Sequence, residues 1–293
     1  MTSEVMSSAT IGRYPLDVRS GDSRSAPPRT QPVPVGALLR EWRAARRLSQ
    51  LDLALDAGVS TRHLSCVETG KAKPSREMVA LLADTLEMPL RERNALLLAA
   101  GYAPEYPETD LSSQELAPVR RAIECILEHQ EPYPAFVLDR HWNILMANGA
   151  AARVTGFLRG GSAHANMMRE FFDPDGLRAC VVNWDEVAED LVRHLHDALA
   201  ASPADDKARA LLDELLRYPG VPSRWRTREL GALPSPVLTV EFRRGDESLR
   251  FFSAITTFGT SRDVTLDELR IECTFPADET TAALCRRLAR STD

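Results

Sequence analysis

Two short capped helices, joined by a turn of fixed length, constrain this 293-residue chain more than anything else in it. Ser49 offers its side-chain oxygen to the free amides that open a helix over residues 50–57. Gly58-Val59-Ser60 then redirects the chain. Gly58 suits the left-handed conformation that ends a helix, Ser60 caps the next segment from Thr61 to about Thr69, and Gly70 closes it. This is helix-turn-helix spacing, which lays the second helix in a DNA major groove with its N-terminal residues at base edges.

Helical periodicity continues on both sides of the pair. Val35, Leu38, Leu39 and Trp42 share one face of a first helix running to Arg47. Ser75, after Pro74, caps a fourth helix carrying Met78, Val79, Leu82 and Leu86. A fifth runs from about Pro89 to Ala100, with Leu96, Leu97 and Leu98, and stops at Gly101. Residues 34–103 therefore read as an all-α, five-helix DNA-binding domain. Residues 1–33, rich in Ser, Pro and Arg, read as a disordered tail, and residues 104–114 as a proline-containing linker.

From 115 to 293 the patterning is mixed. A helix near 115–130 carries Leu116, Val119, Ile123 and Ile126. Two short strands, 135–139 and 143–147, flank a turn at Arg140-His141-Trp142. Helical segments follow near 148–155, 164–172, 185–201 and 204–218. Strands come next at 237–243, 249–257 and 269–275, the last alternating Leu269, Ile271, Cys273 and Phe275 against Arg270, Glu272 and Thr274. A helix over 279–290 closes the chain. This order implies an α+β domain, an antiparallel sheet of about five strands with helices on one face.

Charge is where such a chain invites doubt, because the net value is −6. Residues 34–103, however, hold ten Lys/Arg against eight Asp/Glu, and the acidic excess lies beyond residue 104. A basic face can bind phosphate while an acidic neighbouring domain limits non-specific binding. No apolar run reaches the 18 residues of a membrane span, so no membrane partner is expected. No export signal precedes the helices, which favours the cytoplasm. Five scattered cysteines, an odd count without a CxxC, argue against a disulfide framework or zinc knuckle.

Within the helix pair, Ser60, Thr61, Arg62, Ser65 and Cys66 stand at or near the N-terminus of the reading helix. Arg62 is the strongest base reader, since guanidinium matches guanine O6 and N7; a phosphate contact is the competing role. Gln50, at the preceding helix N-terminus, is placed to grip a phosphate. Lys71 and Lys73, just past the reading helix, are further phosphate contacts.

The stretch LLREWRAARRLSQLDLALDAGVSTRHLSCVETGKAKPS carries Leu48-Ser49-Gln50, Ala54, Gly58-Val59-Ser60, Leu64-Ser65, Glu68, Gly70 and Pro74 in one register. It resembles the XRE/Cro-type repressor family, whose DNA-binding domain is lambda-repressor-like. The resemblance implies a structural ion pair between Arg43 and Glu68. Leu51 departs from the family's usual polar residue, and packing against the second domain would account for it. Further along, RERNALLLAAGYAP, PYPAFVLDRHWNILMANGAAA and NMMREFFDP resemble the MmyB-like branch of these regulators. That likeness implies a PAS-like C-terminal domain binding a small apolar ligand, with a fatty acid the favoured candidate.

Large apolar side chains cluster in the first half of that domain. Phe136, Trp142, Met146, Phe157, Met167, Phe171 and Trp184 could line an adaptable pocket, although each taken singly reads as core. Trp225, between Arg224 and Arg226, suits packing better than clamping an acidic head. His194 and His196 diverge by about 200° on a helix and share no metal easily. No GxSxG, HExxH or P-loop motif is present, so no enzyme is expected. The sequence leads to a DNA-binding regulator acting as a homodimer on a near-palindromic site, modulated by an apolar ligand. Its alternative is a regulator whose C-terminal domain only dimerises or binds other proteins.

Overall fold

The computed structural model describes residues 33–159, 161, 163–227, 237–259 and 261–290; the proposed tail, apart from Val33, lies outside them. Five helices form the N-terminal unit: α1 (Val35–Ala45), α2 (Gln50–Asp56), α3 (Thr61–Glu68), α4 (Arg76–Thr85) and α5 (Leu90–Ala99). The serine caps stand where the sequence put them. Ser49 forms a reciprocal capping box with Asp52, and the Ser60 and Ser75 side chains accept from the His63 and Met78 amides. Gly58 has φ +63°, where a Cβ would be strained. Gly36 is required for another reason. A Cβ there would meet the Val67 and Glu68 carbonyl oxygens at 2.6 and 2.4 Å, so α1 can lie on the end of α3 only without a side chain.

These helices close on Leu39, Trp42, Leu53, Leu64, Val67, Val79, Leu82, Leu86 and Leu96, each at most 2% exposed. Burying one such side chain stabilises by roughly 1.5–3 kcal/mol. Leu51 is 55% exposed and does not pack against the second domain as anticipated.

The second unit begins with α6 (Ala117–His129), followed by β1 (Ala135–Leu138), β2 (Ile144–Ala147), α7 (Gly149–Leu158), α8 (Met167–Phe172), α9 (Trp184–Ala201) and α10 (Asp206–Leu215). It ends with β3 (Thr239–Arg244), β4 (Glu247–Thr256), α11 (Val264–Glu268), β5 (Arg270–Pro276) and α12 (Glu279–Arg290). The five strands form one antiparallel sheet in the order β2-β1-β5-β4-β3. The fold is α+β, as expected, with one correction. Helices lie on both faces: Ile123 and Leu127 of α6 pack on Ala135, Val137, Ile271 and Cys273. On the other face, Phe136, Leu138 and Ile144 meet α8, α9 and α10 through Met168, Phe172, Val192 and Leu212. The four consecutive buried residues of β1 follow from cover on both sides. Among the described residues, no helix is long and apolar enough to cross a membrane.

Candidate nucleic-acid interface and ligand cavity

The start of α3 points outward. Ser60, Arg62 and His63 are exposed, while Thr61, Ser65 and Cys66 are half-buried. Among the described residues, Arg62 makes no hydrogen bond or ion pair, so its guanidinium is available. Lys71 and Lys73 are exposed beyond the helix, and the Lys73 ammonium rests 5.2 Å over the Tyr102 ring. The Tyr102 hydroxyl donates to the Pro74 carbonyl at 2.9 Å, which holds that ring beside the loop.

Gln50 differs from its expected role. Its Nε2 donates to Glu68 Oε2 at 2.6 Å, so its side chain is committed inward. The capping box also places the Asp52 carboxylate in the first turn of α2, which opposes an anion at that end. Glu68 is 2% exposed and gathers its partners at one point. Arg43 donates from Nε to Oε1 at 2.8 Å and from Nη2 to Oε2 at 3.1 Å, and its Nη1 donates to the Leu48 carbonyl at 3.0 Å. The bond to Glu68 raises the Arg43 pKa further against the opposing effect of burial. Three helices, α1, α2 and α3, are thereby pinned together behind the exposed start of α3.

A cavity of about 70 Å³ lies between the sheet and helices α7 and α8. Three of the seven candidates line it: Phe136, Met167 and Phe171. The others are placed elsewhere. Trp142 is buried in the core, with Arg270 5.7 Å over its ring. Met146 pairs with Val137 and packs on the α6 side of the sheet. Phe157 sits beneath Arg244. Trp184 stacks edge-on to Phe172 and donates from its indole to the Phe171 carbonyl at 2.8 Å. Trp225 is core, as preferred, at 3% exposure, and its indole N–H has no partner among the described residues. Sequence reading missed the sheet wall of the cavity, where Phe242, Phe251, Ser253, Glu272 and Thr274 line it. The polar alternates of β5, Glu272 and Thr274, turn toward this cavity.

His194 is held by Asp190 and His196 by the Trp225 carbonyl. Among the described residues, no group of three His, Cys, Asp or Glu could hold a metal ion.

The two units meet in a charged seam. Arg91 of α5 donates to both oxygens of Glu268 in α11, at 2.7 and 3.0 Å, and also pairs with Glu108. Arg140, in the β1–β2 turn, donates to Glu268 Oε1 at 2.7 Å and pairs with Asp205. The Ser202 hydroxyl donates to Glu92 at 2.5 Å. The bond to Glu268, then that to Glu108, pushes the Arg91 pKa up. The segment joining the units is tied down as well: Asn94 holds residues 105 and 106, and Val264 donates to the Pro107 carbonyl at 2.8 Å. A cleft of about 870 Å³, lined mostly by charged residues, opens along this seam.

Comparison with known proteins places both halves. Residues 34–96 match a helix-turn-helix domain family, and residues 119–288 match the MmyB-like transcription regulator ligand binding domain. A curated relative, an uncharacterized HTH-type transcriptional regulator, RghRB, from Bacillus subtilis (strain 168), is 37% identical over 76 residues. Those residues are 26% of this chain, which spans about half, 52%, of that relative. A solved structure described as an RNA-binding light-oxygen-voltage receptor is similar at 15% identity, over 88% of this chain and 63% of its own. Its TM-score is 0.20, so the likeness carries no weight. With more than half of its length inside that ligand-binding family, and a helix-turn-helix unit ahead of it, the chain belongs to the MmyB-like transcription regulators.

Proposed function

We propose that this regulator reads a near-palindromic operator as a homodimer and adjusts its grip when an apolar, fatty-acyl-like molecule enters the cavity between sheet and helices. Residues 34–103 would form the reading unit, 104–114 the joint, and 115–293 the sensor. One reading helix supplies few base contacts, and two helices about 34 Å apart would supply enough for a specific site. Arg62 is assigned to a base edge and Lys71 and Lys73 to phosphate. Ser60, Thr61, Ser65 and Cys66 form the rest of the reading surface.

The cavity's size is the observation that carries the regulatory part. Ligand sites for small molecules usually offer about 300–1,000 Å³, and this one offers about 70 Å³. A ligand with an acyl chain must therefore select a state in which α7 and α8 stand further from the sheet. Because that ligand fits one state and not the other, it supplies the differential affinity that a switch requires. The seam at Glu268 gives any such shift a route to α5.

Operator selection from random duplexes, followed by titration of the protein–DNA complex with bound or added amphiphiles, tests this reading. A change in DNA affinity that tracks ligand occupancy is expected. Constant affinity with a ligand that demonstrably binds would leave the C-terminal domain a dimerisation or protein-interaction module.

A further inference from the structure

The outer strands of the sheet, β2 and β3, are both plugged. At the head of β2, Asn143 is bridged to Asn166, and the Ile144 amide donates to the Ala165 carbonyl at 2.8 Å. Along β3, Val181 bridges Phe242, and the Val182 amide donates to the Glu241 carbonyl at 2.7 Å. The Asn183 side chain holds the Thr239 carbonyl and the Glu241 amide there as well. Where β5 runs past β1, the Thr274 amide donates to the Pro134 carbonyl and the Gln130 side chain donates to the Thr274 carbonyl. Unpaired strand edges recruit other chains, and cover of this kind prevents it.

The end of β4 has no such plug among the described residues. Phe252 is its last residue paired with β3, opposite Thr239, and the chain bends at Val237, ahead of β3. Ser253, Ala254, Ile255 and Thr256 pair with β5 alone. Residues 253–257 are all exposed, Ile255 at 50%. On the β5 side, the Arg250 carbonyl accepts from the Ala277 amide. Backbone groups alternate in direction along an antiparallel strand, so even positions of β4 bond to β5. Ser253, Ile255 and Thr257 therefore turn their N–H and C=O groups outward. From Phe251 to Gly259 the sequence has neither a charged residue nor a proline, the residues that usually guard an edge.

We infer that this edge pairs antiparallel with the same edge of a second copy, so that one sheet runs through both copies with the two-fold axis at Ile255. An antiparallel edge is self-complementary, because the same outward groups satisfy each other about a two-fold axis. In this register Ile255 faces Ile255 of the second copy, Ser253 faces Thr257, and Ala254 faces Thr256. Small uncharged side chains meet, the exposed Ile255 is covered, and no like charges stand opposite each other. The β3 edge, with Glu241, Arg243 and Arg244, has no such match. The inference rests on the homodimer reading and gives it a surface.

Sedimentation of the full chain, alone and on the selected operator, reads the dimer, and amide hydrogen exchange resolved by residue reads the edge. In the dimer, the Ser253, Ile255 and Thr257 amides are expected to exchange at least about tenfold more slowly than in the monomer. The Ala254 and Thr256 amides, bonded to β5 in both states, should not change. Ile255→Lys sets like charges against each other across the axis and should weaken dimerisation at least about tenfold. A dimer whose 253, 255 and 257 amides exchange as fast as the monomer's, or one that Ile255→Lys leaves unchanged, overturns the edge contact while the homodimer stands on another surface. Slow exchange of those amides in a monomer means that the edge is closed within one chain, and overturns the contact too. A monomer at every concentration and on the operator overturns the homodimer and the edge together. The exchange comparison uses the parent chain, so a misfolded variant does not blunt it.

Discussion

Arg91 and Glu268, 177 residues apart in the chain, form a two-pronged ion pair at 2.7 and 3.0 Å between the last helix of the DNA-binding unit and a five-residue helix of the sensor. Arg140 shares the same Glu268 oxygen. One carboxylate thus serves two guanidiniums from different parts of the sequence. Its removal leaves both cations short of a partner at sites that are 35% and 16% exposed.

Glu268→Gln should therefore loosen the joint between the units. Allowing for the exposure of Arg91, about 1–2 kcal/mol of docking is expected to be lost. Where cleavage follows the open population, that is about a 5–30-fold faster nick in the joining segment. Limited proteolysis with fragment mapping reads it directly. Cleavage at the parental rate would mean that the seam does not hold the units together.

Behind the reading helix, Glu68 is buried and depends on Arg43 and Gln50. Arg43→Ala leaves an uncompensated carboxylate in the core of the helical unit, which should cost about 3 kcal/mol or more. Thermal melting should show this as a lower midpoint for the N-terminal transition. Gln50→Ala removes one neutral donor and should cost about 1 kcal/mol. Equal effects from the two substitutions would argue against the ion pair as the main support.

Arg62 and Lys73 separate base reading from phosphate contact. Arg62→Ala should weaken the selected operator by about 1–3 kcal/mol and relax preference at one base position, whereas Lys73→Ala should weaken all sequences evenly and lower the salt slope by about one unit. Binding measured on cognate and scrambled duplexes across salt concentrations distinguishes them. A uniform loss for Arg62→Ala would reassign that residue to the backbone. Arg62→Ala should leave melting unchanged, since that side chain is exposed and makes no hydrogen bond or ion pair among the described residues, and Lys73→Ala should lower stability only by the contact over Tyr102, about 0.5–1 kcal/mol.

The helical unit was legible because its determinants are local. Ser49, Ser60 and Ser75 cap the helices they precede, and Gly58 and Gly70 take positive φ where the helices end. The Arg43–Glu68 pair came from family register, not from spacing. The sensor was legible as strands and helices but not as a site. Its cavity is assembled from all five strands with α7 and α8, and no local pattern says which face of an alternating strand turns inward. The alternation in β5 does not show that Glu272 and Thr274 are covered, because the helices over them come more than 70 residues earlier. Large side chains drew attention to Trp142, Trp184 and Phe157, yet bulk fills a core as readily as it lines a cavity. Glu268 went unnoticed because α11 is too short to show a helical period.

Glu272 makes a prediction about pH that needs no ligand. Its folded pKa lies above the ordinary 4.5, chiefly through burial, with Ser253 and His194 opposing the shift. Between 4.5 and the raised value, the folded protein holds a proton that the unfolded chain has released. Stability contributed by this group is therefore fully present below 4.5, falls as pH rises through that window, and is flat above it. Glu272→Gln lacks the titration, so its melting midpoint should exceed the parent's at pH 8, by about 2–4 °C for each kcal/mol, and converge on it near pH 4. Midpoints recorded across that range decide the matter. A difference that does not vary with pH would be packing alone, and a less stable variant at pH 8 would mean that the ionised carboxylate has a favourable partner in the folded chain.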